Sequence, residues 1–153
     1  MMEFVYAYAY FVLYAFLGWV CEDLYCGIPA NKFINRGFFY GPYCPIYGVG
    51  ALLVLYPLLF VKDYPILVFI LGVIITSTLE YITSWVMEIL FKTRWWDYSE
   101  RFLNINGRVC LLNSTLFGIM SIVVVYIIHP VIQDIVMDIP FTALMSFLSA
   151  FTI

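Results

Sequence analysis

Long apolar segments constrain what this chain can fold into more than any other feature of its sequence. Four long segments and a shorter fifth cover residues 4–20, 46–61, 64–91, 109–128 and 140–153, and the first continues as a candidate span to about residue 26. A helix needs about 20 residues to cross about 30 Å of hydrocarbon, whereas barrel strands are about 9–11 residues long. The sequence therefore predicts an all-α membrane helix bundle of four to five transmembrane helices in a single domain, residues 1–153.

Composition indicates that lipid covers these segments. The 153 residues are 65% hydrophobic and 11% charged, with a mean hydropathy of +0.99. Soluble domains are typically about 45–50% apolar and about 25% charged, and one soluble core of this size could not bury the excess. The N-terminus contains Glu3 but no basic region, so we expect a retained first span rather than a signal peptide. No basic run indicates a nucleic-acid partner.

Basic residues predict the orientation of the spans in a cell membrane. Six of the seven lie in two alternate loops, 27–45 and 92–108, which the positive-inside rule assigns to the cytoplasm: Lys32, Arg36, Lys92, Arg94, Arg101 and Arg108. We therefore expect the N-terminus outside. The last span has only 14 residues, so it is tilted, incomplete or cut off.

The second span suggests a re-entrant loop. Residues 46–61 form about 24 Å of helix, which is too short to cross the bilayer. If that helix starts below the membrane surface, the preceding segment NRGFFYGPYCPIYG, residues 35–48, must enter the membrane to meet it. Irregular backbone is tolerated there only where protein or water covers it. We expect this loop to line a cytoplasm-facing cavity; the alternative is a surface turn before a short tilted helix.

Polar side chains from three spans are expected at one depth. Glu80 lies about 24 Å from the outer end of its span, and Asn113 lies about 6 Å from the cytoplasmic end of the next. Glu22 ends the first span at nearly the same level, and Ser84 lies one turn after Glu80 on the same helix face.

An acidic residue within the membrane usually faces a partner or water. We expect Arg36 and Arg108 to pair with Glu80 and Glu22 around a wet vestibule, with Glu80 as its main group. The polar residues expected there are Glu80, Glu22, Arg36, Arg108, Asn113, Ser84, Asn35 and Cys44. The alternative is a salt bridge that only holds the helices together.

The segment after the third span predicts a gate or an interface. Paired tryptophans in WWDYS, residues 95–99, are typical of an aromatic belt at the membrane surface. In the functional alternative, Asp97 and Arg108 gate the vestibule. The residues assigned to the gate or interface are Glu88, Trp95, Trp96, Asp97 and Tyr98.

Other chemistry is disfavoured by spacing. Cys21 and Cys26 lack zinc-finger spacing, so small buried thiols are expected rather than a metal site. Ser84 and His129 fall at opposite ends of the membrane, which argues against a serine–histidine catalytic pair. We therefore expect no catalytic residues, no metal and no cofactor. No P-loop is present, so ATP hydrolysis would need another chain.

Several motifs in order resemble a known family. FLGWVCEDLYC, NRGFFYGPYCPIYG, LEY with MEILF, RWWDYS, NINGRVCLLNS and HP are similar to small bacterial integral membrane proteins described as putative ABC-transporter type IV or ABC transporter permease. The resemblance covers about residues 4–130 and implies a transport role. It implies family polar positions at Glu22, Asn35, Arg36, Gly41, Pro42, Cys44, Pro45, Glu80, Glu88, Trp95, Trp96, Asp97, Tyr98, Asn106, Gly107, Arg108 and Asn113.

Three functions fit these observations. The first is a small transporter or channel-like permease, expected as a homo-oligomer in the lipid bilayer, which moves a small ion or polar solute past Glu80. The second is a membrane-embedded enzyme in which Glu80 or Asp97 acts as acid or base and arginines hold a lipid phosphate. The third is a structural or sensor subunit of a membrane complex.

Overall fold

The computed structural model describes residues 2–30 and 42–150, and all regular elements in these ranges are helices. The helices are α1 Met2–Ala30, α2 Pro45–Leu59, α3 Pro65–Phe91, α4 Leu111–Val123, α5 His129–Asp138 and α6 Phe141–Ala150, with a π-helical turn at Val124–Ile128 between α4 and α5. The predicted all-α class is confirmed.

Three helical stretches of the described ranges are long and apolar enough to cross a membrane: Met2–Leu24, Pro65–Phe91 and Leu111–Asp138. Helix α2 is apolar but has only 15 residues, or about 22 Å. Large apolar side chains on α3 are exposed, including Ile66 at 77% and Leu90 at 66%. Exposed apolar surface of this extent needs a lipid covering. The chain is therefore a multi-pass membrane protein.

The chain divides into two compact units, residues 1–52 with 129–153, and residues 53–128. In the first unit, α1 packs against the start of α2. A Cβ on Gly18 would overlap Tyr47, and one on Gly48 would lie 2.6 Å from the Phe11 carbonyl oxygen, so both glycines are needed for close approach. The backbone N–H of Cys44 donates to the Ala15 carbonyl at 2.9 Å.

Only part of the predicted re-entrant loop can be compared with the structure. Residues 35–41 lie outside the described residues. Of the remainder, Cys44 is buried and α2 begins at Pro45, a position where proline's fixed φ favours helix initiation.

His129 also belongs to the first unit. The fourth span was predicted to end at residue 128, but the helix continues to Asp138. His129 is buried, its Nδ1 is hydrogen-bonded to the Tyr14 hydroxyl at 3.2 Å, and its ring meets the Tyr10 ring edge-on at 5.2 Å. The polar ring is thereby packed against α1 rather than exposed at the end of the helix.

In the second unit, α3 packs along α4 through small residues. A Cβ on Gly72 would lie 2.5 Å from Ser121 Oγ, and one on Gly118 would lie 2.5 Å from a methyl carbon of Val73. Further along the same contact, the Ser77 hydroxyl donates to Ser114 Oγ at 2.7 Å. Small residues allow helices to approach closely in a membrane, and hydroxyl bonds hold them together.

The connection between α3 and α4 is a folded loop. Lys92 caps the C-terminus of helix α3: its backbone is left-handed, and its N–H donates to the Glu88 carbonyl oxygen at 2.9 Å. Ile105 and Val109 form an antiparallel bridge around a turn in which Gly107 has a φ of +68°. Glycine adopts this conformation without strain. The turn returns the chain to α4 and brings Arg108 against α3.

Candidate functional site

Three polar residues of α3 form a ladder along one helix face. Glu80, Ser84 and Glu88 follow one another at intervals of four residues, which places each about 6 Å from the next along the axis. Glu80 is 9% exposed and Ser84 is 4% exposed, whereas 34% of the Glu88 side chain is exposed. The ladder therefore runs from the interior towards the end of α3.

Arg108 lies against the C-terminal half of this ladder, formed by Ser84 and Glu88. Its Nη2 is 2.5 Å from Glu88 Oε2, its Nη1 donates to Ser84 Oγ at 3.2 Å, and its guanidinium carbon lies 5.7 Å from the centroid of the Tyr81 ring. Arg108 is only 9% exposed. A guanidinium stays charged in proteins and, when buried, must keep an anionic partner. The anionic partner of Arg108 is Glu88, whereas the sequence predicted that it would be Glu80 or Glu22.

Arg94 provides a second cation for the same carboxylate. Its Nε donates to Glu88 Oε1 at 3.1 Å, and its Nη1 lies 3.8 Å from Asp97 Oδ1. The Arg94 side chain is 35% exposed. Glu88 is thus shared by two arginines, one buried and one at the surface.

Glu80 is placed differently from Glu88. Its Oε1 accepts a hydrogen bond from the Tyr98 hydroxyl at 3.3 Å, and the Asn113 side chain faces the same carboxyl group. Its Oε2 is buried and has no hydrogen-bond partner among the described residues. No ion pair in that part of the chain includes Glu80. Since an ionised carboxylate is costly to bury without a cation, this position favours a carboxyl group that carries a proton or binds a cation.

The WWDYS segment holds the loop against the ladder. The Trp96 indole N–H donates to the Arg108 carbonyl at 3.0 Å, and the Tyr98 backbone N–H donates to the Gly107 carbonyl at 2.8 Å. Trp96 thereby fixes the backbone of Arg108, and Tyr98 reaches Glu80. Trp95 is 51% exposed, as expected for a residue at a membrane surface.

Asp97 organises the turn that follows. Its Oδ1 accepts hydrogen bonds from the Ser99 hydroxyl at 2.5 Å and from the Ser99 backbone N–H at 2.9 Å. The hydroxyl bond first, and then the backbone bond, hold the pKa of Asp97 below its usual value. Asp97 contacts Arg94 rather than Arg108, which was its expected partner in a gate.

The other residues predicted for the vestibule lie in the first unit or outside the described residues. Glu22 and Cys44 lie in the first unit, where the Tyr47 hydroxyl donates to Glu22 Oε2 at 2.5 Å. Asn35 and Arg36 lie outside the described residues. The vestibule that unites Glu22 and Arg36 with Glu80 stays a prediction. Across residues 2–30 and 42–150, no three His, Cys, Asp or Glu side chains are grouped as metal ligands.

Sequence reasoning missed two contributors to this site. Tyr81 stacks beneath the Arg108 guanidinium, and Arg94 supplies the second cation at Glu88. The i, i+4, i+8 spacing of Glu80, Ser84 and Glu88 was the available signal, because it places all three on one face of α3. The spacing of residues in the sequence does not indicate which carboxylate forms an ion pair with Arg108.

Apolar spans, exposed apolar helix faces and a polar site buried within one span define a polytopic helical membrane protein. The family model described as Putative ABC-transporter type IV matches residues 9–153, and the chain belongs to this family. Its description connects the chain to ABC-transporter-related membrane proteins. No curated protein and no solved structure matches the chain.

Proposed function

We propose that this chain is a small membrane transporter in which Glu80 binds the transported species, a proton or a small monovalent cation. The observation that carries the proposal is the buried Oε2 atom of Glu80, which has no partner among the described residues. Glu80 lies 15 residues after Pro65, or about 22 Å along α3, inside a helix long enough to span the membrane. An ionisable group at such a position indicates an ion or proton pathway.

The charges around Glu80 support a cationic species. Arg108 and Arg94 are both engaged by Glu88, and Asp97 is held by Ser99 and lies near Arg94. Among the described residues, Glu80 is therefore the acidic member of this group that forms no ion pair. Its neighbours, the Tyr98 hydroxyl and the Asn113 side chain, hydrogen-bond to the carboxyl group and also contain oxygen atoms, the ligand atoms that hard cations prefer.

The proposed transporter retains the predicted vestibule and homo-oligomer. Glu22, Arg36 and Asn35 are proposed to line the cytoplasmic opening, with Cys44 in the re-entrant loop. A chain of 153 residues encloses little volume by itself, so a pathway shared between protomers is proposed.

Flux into liposomes tests the function. The purified chain is reconstituted into vesicles, and entry of protons is followed with trapped pyranine under an imposed potential, and entry of sodium with a trapped sodium indicator. The variant is Glu80→Gln, which keeps the shape and removes the charge. The matched control is Glu100→Gln, an exposed acidic residue of the α3–α4 loop.

We expect flux of at least one probe with the wild-type chain and the Glu100→Gln control, and a loss of about tenfold or more with Glu80→Gln, since a charge partner is typically worth more than one decade. Equal flux in Glu80→Gln and wild type, or no flux of either probe, contradicts the proposal. Circular dichroism before and after reconstitution confirms that the variants compared are folded.

A further inference from the structure

The two arginines beside the α3 ladder are unevenly placed with respect to its two carboxyl groups. Both Arg94 and Arg108 contact Glu88, and Arg94 also lies 3.8 Å from Asp97. Glu80 instead has the Tyr98 hydroxyl on Oε1 and the Asn113 side chain beside its carboxyl group, and its Oε2 is buried without a hydrogen-bond partner among the described residues. Glu88 keeps a positive partner with one arginine alone, so the other arginine is available to pair with Glu80.

Arg108 is the arginine placed to reach Glu80. Its Nη1 is bonded to Ser84 at 3.2 Å, and Ser84 is the middle position of the ladder, four residues from each carboxyl group. A move of about one helical turn, or about 6 Å, carries the guanidinium from Glu88 to Glu80. Trp96 donates a hydrogen bond to the Arg108 carbonyl and so holds the backbone in place. The guanidinium therefore moves by a change of side-chain rotamers.

We propose that Arg108 is an internal cation that exchanges between Glu88 and Glu80 and competes with the transported species for Glu80. The inference rests on the proposed function, in which Glu80 binds that species, and it requires a species that a positive charge can replace. A proton or a monovalent metal cation meets this condition, whereas an anion or a net-neutral zwitterion does not.

Both arrangements leave each of Glu80, Glu88 and Asp97 either occupied or beside an arginine, because Arg94 contacts both Glu88 and Asp97. When a proton or cation occupies Glu80, Arg108 and Arg94 share Glu88, as in the structure. When Glu80 is ionised and empty, Arg108 pairs with Glu80, and Arg94 remains on Glu88. Arg94 thus avoids the free-energy cost of an unpaired Glu88 carboxylate when Arg108 moves to Glu80. The Ser84 hydroxyl offers a hydrogen-bond acceptor to the guanidinium midway.

Carbodiimide labelling tests the exchange without knowledge of the solute. Dicyclohexylcarbodiimide reacts with protonated carboxyl groups in apolar surroundings to give a stable N-acylurea, which peptide mass spectrometry locates and quantifies over time. The folded chain is labelled in liposomes at neutral pH in a sodium-free buffer. The variants are Glu88→Gln, Arg108→Gln and the double variant, and Glu100→Gln is the control.

The wild-type chain and the Glu100→Gln control are expected to be labelled at Glu80. In Glu88→Gln, Arg108 loses its anion, moves to Glu80 and ionises it, so labelling slows about tenfold or more, the effect of a cation within a few ångströms. The double variant Glu88→Gln with Arg108→Gln removes the competing charge and restores the wild-type rate. Arg108→Gln alone is labelled at least as fast as wild type.

The outcomes separate the two proposals. No labelling of Glu80 in either wild type or Arg108→Gln contradicts the proposed function itself, whereas labelling that appears only in Arg108→Gln shows that Arg108 pairs with Glu80 and supports the exchange. Labelling of Glu80 that is unchanged in Glu88→Gln, or is slow in that variant and not restored in the double variant, overturns the exchange and leaves Glu80 as the binding group. Slower labelling in Arg108→Gln also overturns it, so the exchange can still be refuted should Glu88→Gln fail to fold.

Discussion

The close contact between α3 and α4 predicts a large coupling between Gly72 and Ser121. A Cβ added to Gly72 would lie 2.5 Å from Ser121 Oγ and 2.6 Å from Ser121 Cβ. Favourable carbon contacts lie at about 3.5–4.0 Å, so the helices must separate by about 1 Å. Ser121 cannot rotate away freely because its hydroxyl donates to the Phe117 carbonyl oxygen at 2.9 Å.

The magnitude follows from two opposing effects of Gly72→Ala. Overpacking costs about 1–3 kcal/mol, while alanine gains up to about 1 kcal/mol over glycine in a helix. The single variant is therefore destabilised by about 0–2 kcal/mol. In a double-mutant cycle with Ser121→Gly the helix propensity cancels, and the coupling energy equals the overpacking cost of about 1–3 kcal/mol.

Reversible unfolding in dodecyl maltoside, followed by circular dichroism during titration with dodecyl sulfate, measures all four proteins of the cycle. We expect Gly72→Ala to lower the free energy of unfolding in the Ser121 background and to raise it in the Ser121→Gly background. A coupling energy below about 0.5 kcal/mol, the usual limit of additivity, would refute this packing of α3 on α4.

Three further perturbations test the loop and the first unit. Gly107→Ala places a Cβ 2.5 Å from Asp97 Oδ1 at a φ of +68°, so we expect limited trypsin to cut the α3–α4 loop faster than in wild type. Because the pKa of Asp97 is lowered in the folded chain, its bonds to Ser99 stabilise the turn above the unfolded pKa of about 3.9. This stabilisation is lost as the pH falls through the lower folded pKa. The Ser99 amide chemical shift should therefore change only below about pH 4, and this change should be absent in Asp97→Asn. Tyr47→Phe removes the hydroxyl bond to Glu22 and should lower the free energy of unfolding by about 1–2 kcal/mol, whereas an unchanged value would show that this bond adds no stability.

The sequence alone was sufficient for the helical membrane class. Runs such as residues 64–91 are too long and too apolar for anything but a lipid-facing helix, and α3 occupies Pro65–Phe91. The relation between Glu80 and Ser84 was also accessible, because helical periodicity places residues four apart on one face. Asn113 was placed near Glu80 by depth alone, and its side chain does face that carboxyl group.

The pairing of charges could not be read from the sequence. Depth arguments place Arg108 near several acidic residues, but the choice of Glu88 depends on a loop that returns to α3 through the left-handed backbone of Asn106 and Gly107. The continuation of the helix past His129 was missed for a similar reason. A histidine followed by a proline looks like the end of a span, whereas here contact with Tyr14 buries the ring.

The central claim is that Glu80, which forms no ion pair among the described residues, carries a proton or a cation inside the membrane. Infrared spectroscopy of the chain in liposomes, in a neutral buffer whose only added cation is the bulky N-methylglucamine, tests it most directly. The account predicts the carbonyl band of a protonated carboxylic acid that disappears in Glu80→Gln and persists in Glu100→Gln. Identical carbonyl bands in wild type and Glu80→Gln would show that Glu80 is ionised and paired, and would contradict the account.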